Sequence, residues 1–164
     1  MRCLLALLLL ATPASALTVA EMQALLTRLD PEAEHAGPAT RLTVEDVPVL
    51  VISDPGADRM RAMVPIRSAE GLDADELRRL MQANFDSALD ARYAVAQGRL
   101  WAVFLHALSG LDDDLLVSGI GQTVNAATSY GTLYSSGAGQ FGGGDSGAAQ
   151  RALLERLRRK GTDL

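Results

Sequence analysis

The sequence predicts an α+β domain in the order α-β-β-β-α-β-β-α: a five-stranded antiparallel sheet packed with helices, followed by a flexible Gly-rich C-terminal tail. Three observations carry this reading. Apolar residues recur at helical spacing in separate segments. Between those segments lie short alternating or wholly apolar runs, divided by turn residues. The composition, 48% apolar and 21% charged over 164 residues, is that of one ordinary globular domain. Aromatics make up only 4%, so the core is built from aliphatic side chains.

Residues 1–16 are set apart as a signal peptide. Arg2 supplies a short positive region, residues 3–11 are almost unbroken apolar, and Pro13 breaks the run. Ala14 and Ala16 then give the small-x-small pattern that signal peptidase accepts, with cleavage before Leu17. The run is shorter than the ~20 residues a spanning helix needs. The single cysteine, Cys3, leaves with the leader, so the mature chain has neither disulfide nor thiolate metal site. Loss of Arg2 takes the formal charge from −5 to −6. Such a chain gains no general attraction for nucleic acid, and none is expected as a partner. An exported protein, periplasmic by first expectation, follows.

The domain occupies residues 17–134. Thr18 caps a first helix to Leu29, with Glu21 completing a capping box and Met22, Leu25, Leu26 and Leu29 forming its stripe. Residues 32–39 read as a polar connection. Residues 40–45 alternate as a half-exposed strand, and residues 47–52 are apolar throughout, as in a strand covered on both faces. After the Asp54-Pro55-Gly56 turn, Met60, Ala62, Val64 and Ile66 face one way, and Arg59, Arg61, Met63 and Arg67 the other. A second helix over residues 73–89 places Leu77, Leu80, Met81, Phe85 and Ala88 on a buried stripe. Gln97-Gly98 joins strands 91–96 and 99–106 as a tight hairpin. The latter has no polar residue from Leu100 to Leu105, so Trp101 is expected to be mostly buried. Asp112 opens a third helix, with Asp113 and Asp114 at the positive end of its dipole. Residues 135–147 are a Gly/Ser-rich linker, and residues 148–164 a basic helical tail.

At this point the chain resembles the type III secretion chaperone-like (CesT-type) fold family and, within it, the YbjN-type proteins. The likeness covers residues 17–134. It rests on the element order, on the Gln97-Gly98 hairpin leading into Leu100-Trp101-Ala102-Val103-Phe104, on the Asp-rich start of the last helix, and on the passage from Asn84 to Tyr93. The resemblance implies dimerisation or protein binding rather than chemistry. Two features depart from it: secretion chaperones of this fold are cytoplasmic, and they lack the Gly-rich tail with its basic end.

The residues themselves offer no catalytic motif. His106, Ser109 and Asp112 lack a nucleophile elbow, and a strand-end histidine bonded to nearby backbone is the better reading. No histidine pair has metal-ligand spacing, and no metal or cofactor is expected. Gly119 and Gly121 form only a fragment of a dinucleotide fingerprint, so close packing of another element explains them better. Ile52, Met63, Met81 and Trp101 are candidates for a protein-interaction surface, with an unidentified protein or a second copy as partner. A small envelope hydrolase or transferase with a scattered site is the alternative function. Arg151, Arg156, Arg158, Arg159 and Lys160 outnumber Glu155 and Asp163 in the tail and flank a Leu153/Leu154/Leu157 stripe. On composition that arm reads as a solvated, disordered tail; the alternatives are that it folds back on its acidic domain or makes weak contact with an anionic membrane surface.

Overall fold

In the computed structural model, residues 17–86, 88–130 and 146–162 are described; residues 1–16, expected to be a signal peptide, most of the segment expected to be a linker, and the last two residues lie outside this set. Helix α1 (Val19–Leu29) leads into strands β1 (Glu34–Ala36), β2 (Ala39–Val44), β3 (Val47–Asp54) and β4 (Arg59–Ser68). Helix α2 (Ala74–Asp86) is followed by β5 (Arg92–Ala96), β6 (Arg99–His106), a 3-10 turn (Leu108–Gly110), α3 (Asp113–Thr128) and α4 (Ser146–Thr162). All neighbouring strands are antiparallel, in one six-stranded sheet of order β1-β2-β3-β4-β6-β5.

The sheet thus has six strands, not the expected five. The extra strand, β1, lies in the segment read as a polar connection. It is three residues long and exposed throughout, so it carries no alternation to read. Side chains hold it: His35 lies between the Thr27 and Thr40 hydroxyls, 2.9 Å from each, and Gln23 donates to the Gly37 carbonyl. Gly37, at φ +59°, makes the tight return to Ala39.

Local signals set the element ends. The α1 capping box forms as expected, with reciprocal Thr18 and Glu21 hydrogen bonds. They hold the Glu21 carboxyl below its usual range, the backbone bond contributing most. The Asp112 carboxylate accepts from the Leu115 N–H at 2.8 Å and starts α3. Gln97 and Gly98 both have positive φ, as a type I′ hairpin demands.

The core lies on one face of the sheet. Leu42, Val44, Val49, Val51, Met60, Ala62, Val64, Leu100, Ala102 and Phe104 point into it, against α1 and α3. Gly119 lets α3 approach: a Cβ there would stand 2.4 Å from the Phe104 ring. Helix α4 packs outside α3 and α1, with Leu153 and Leu157 buried; a Cβ at Gly121 would meet the Leu154 side chain at 2.6 Å. The tail thus departs from the flexible, solvated arm expected: its described residues form a helix folded back on the domain, because Leu153 and Leu157 find an apolar seat there. Arg156 pairs with Glu45 at 3.2 Å and Arg158 with Asp114 at 3.5 Å. Arg151, Arg159 and Lys160 are exposed.

Helix α2 differs from its expected packing. Leu80 and Ala83 join the core, but Leu77, Met81 and Phe85 are exposed. The helix meets the sheet mainly at edge strand β5, with Glu76 also paired to Arg67 of β4, so one narrow stripe suffices. Asn84 makes that junction: its amide donates to the Tyr93 carbonyl (3.0 Å) and its side-chain oxygen accepts from the Tyr93 N–H (2.7 Å). It thereby caps part of an open sheet edge. Buried Gln122 accepts from the N–H groups of Asp90 and Ala91 and donates to Asp90 and Ser118, fixing the turn before β5.

Candidate functional site: the open face of the sheet

Because side chains alternate along a strand, each residue between those of the core face points to the opposite side. Register then builds that side row by row. Arg41, Leu50, Met63, Val103 and Arg92 are consecutive partners across β2, β3, β4, β6 and β5. The next row runs Ile52, Arg61, Leu105. On the other side Pro65 pairs with Trp101, and Trp101 with Ala94. Among the described residues no helix packs on this face. Leu50, Met63, Trp101 and Val103 are half-buried by one another, and Leu105 retains 53% of its exposure.

Trp101 therefore departs from its expected mostly buried position. It lies in β6 as read, but a strand without polar residues need not be covered twice. Its indole N–H donates to the Ala96 carbonyl at 3.1 Å, and the Arg99 guanidinium stands 5.9 Å from its ring centre. Pro48, Leu50, Pro65 and Trp101 line an open groove of about 400 Å³, rimmed by Asp30, Glu32, Glu34 and Arg41. A second depression of about 370 Å³ is lined by Ile52, Asp54, Arg59, Arg61 and Leu105.

Of the four candidate surface residues, Ile52, Met63 and Trp101 share this face, whereas Met81 is on the outer side of α2. Leu50, Val103 and Leu105 were missed because runs 47–52 and 100–105 show no polar alternation. Arg59 and Arg61, alternating with Met60 and Ala62, were the available signal.

The His106/Ser109/Asp112 grouping is not assembled. Ser109 donates instead to Asp58, through its N–H at 2.7 Å and its hydroxyl at 2.6 Å. Those bonds, the hydroxyl's foremost, hold the Asp58 carboxyl below its usual range. His106 Nδ1 is 2.8 Å from the Ala107 carbonyl, and the Asp112 carboxylate caps α3. Tyr130 hydrogen-bonds Glu76, and burial, then that bond, raises its hydroxyl pKa. Among the described residues, no group of three His, Cys, Asp or Glu is placed to hold a metal ion, and no helix is long and apolar enough to cross a membrane.

No protein-family model matches the chain, and no curated protein matches it. Among solved structures it is similar to the Yersinia pestis type III secretion chaperone SycH, crystallised in complex with a stable fragment of YscM2. The two share 16% identity over 65% of this chain and 96% of that one, with a TM-score of 0.49. The comparisons show no YbjN-type family for this chain.

Proposed function

We propose that the chain is an exported, non-enzymatic protein-binding module whose binding surface is the open face of the sheet. The observation that carries the reading is the row Leu50, Met63, Val103: three strands bring apolar side chains side by side, and no described element covers them. A contiguous apolar patch on a folded domain costs free energy until something covers it, and such patches mark interaction surfaces. Engagement of Ser109 by Asp58 and of His106 by backbone supports a role without catalysis. Export to the periplasm rests on the leader pattern ending at Ala16, and N-terminal sequencing of the mature protein, expected to begin at Leu17, checks it.

The binding reading is tested with a photo-crosslinking amino acid at Met63, in the producing cell, against a control at exposed Glu155 of α4. Discrete protein adducts from position 63 and none from position 155 are expected. Identical patterns from both sites, or adducts from neither, would sink the reading.

A second reading, a homodimer, is favoured by α2. Leu77, Met81 and Phe85, spaced by four, form an exposed stripe that Leu89 extends. Light scattering should give a dimer that Met81→Glu converts to monomer. A wild-type monomer at every concentration removes this reading and leaves the sheet surface untouched.

A further inference from the structure

The open face differs from the rest of the chain in charge as well as polarity. By strand register it carries Arg41, Arg59, Arg61, Arg92 and Arg99 against Glu34 and Asp54. By strand register alone that is +3, on a chain whose formal total is −5; Asp30 and Glu32 stand at the groove rim, and Arg59 is already paired with Asp58, so Arg41 and Arg61 carry the unpaired positive charge. The arginines are placed among apolar groups: Arg61 stands between Ile52 and Leu105, and Arg41 and Arg92 flank the Leu50–Met63–Val103 row, Arg41 with Glu34 beyond it and Arg92 donating to the Leu89 and Ala91 carbonyls. Arg61 and Arg41 have no ion-pair partner among the described residues.

We propose that this face takes an acidic as well as apolar polypeptide segment, whose Asp or Glu side chains meet Arg61, Arg41 and Arg92 while its apolar side chains cover Leu50, Met63 and Val103. The inference rests on the reading of this face as the binding surface and adds the chemistry of its partner. Covering Arg61 without a carboxylate would strip water from a cation and return nothing; a carboxylate there makes a charge-assisted bond in a drying environment. A second copy bringing the same face would oppose +3 with +3. The chain's own remaining segments are poor in acid: residues 1–16 contain none, residues 131–145 only Asp145 and residues 163–164 only Asp163. A broad anionic lipid surface would have to span the Asp30, Glu32 and Glu34 rim together with the arginines, whereas a single segment laid along the Ile52, Arg61, Leu105 row does not cross it.

The test is selection of random 16-residue displayed peptides on the mature protein, followed by affinity measurement from the emission of Trp101, the chain's one tryptophan. Face binders are those lost on both Met63→Glu and Leu105→Glu, with thermal melts showing that each variant folds. Face binders rich in Asp, Glu and apolar residues are expected, with affinity falling as salt rises. Arg61→Glu should weaken them about tenfold or more, and Arg61→Lys should restore most of the loss. Face binders without acidic enrichment, or indifferent to Arg61→Glu, would overturn this inference and leave the binding surface standing. No face binder at all would overturn both. Peptide selection that fails while phosphatidylglycerol vesicles shift Trp101 emission would replace the peptide with a membrane.

Discussion

Phe104 and Trp101 belong to the same strand, three residues apart, and face opposite worlds. Phe104 is 1% exposed, with Gly119 of α3 pressed against its ring. Trp101 lies half-buried among neighbours of its own sheet, and no helix among the described residues packs on its side. Both residues sit in a run without a polar side chain. On the helix side the apolar residue is spent on stability; on the open side it remains available for another molecule.

The largest expected effect tests that division directly. Phe104→Ala should cost ~3–5 kcal/mol in reversible denaturation, as buried aromatic truncations do. Trp101→Ala should cost roughly 1–2 kcal/mol, within the usual range for single substitutions. Equal losses would mean that something covers both faces.

Next come the two glycines of α3. Gly119→Ala drives a methyl into the Phe104 ring and should cost ~1–3 kcal/mol, the range for overpacking. At Gly121 the obstacle is the far end of the Leu154 side chain, which is free to turn aside. Replacing Gly by Ala in a helix gains about 1 kcal/mol, so Gly121→Ala should be near neutral. A large loss at Gly121 would show that α4 is held as rigidly as the core.

Asn84→Ala leaves the Tyr93 N–H and carbonyl without their side-chain partner and should cost ~1–3 kcal/mol. Hydrogen exchange should show faster loss of protection at Tyr93 than at Ala102 in β6. Uniform acceleration would place Asn84 in the global core instead.

The smallest effect is a pH dependence. The folded-state pKa of Asp58 is depressed by Ser109, so the stability it contributes is present above the ordinary aspartate pKa and is lost as pH falls through the depressed value. Ser109→Ala should flatten that part of the acid profile. An unchanged acid limb would show that other carboxylates govern it.

Much of the fold was legible because its signals are local. The Thr18/Glu21 box, the Asp112 cap and the Gln97-Gly98 hairpin each act within three residues, and all three formed as read. The helical stripe of α1, Met22 to Leu29, is buried as its spacing implied. By itself, then, the sequence determined where α1 and α3 begin, where the β5–β6 hairpin turns, and which residues of α1 turn inward. Tertiary structure alone decided the rest. Strand β1 exists because Thr27, Gln23 and Gly37 lie beside it, and its own exposed residues hold no period. Helix α2 left Met81 outside because it meets the sheet at an edge. Most of all, a wholly apolar strand states that neither face is polar, not which face a helix will cover. Only the docking of α1 and α3 on one side made Leu50, Met63 and Val103 a surface, and strand register placed Arg41 and Arg92 at its ends.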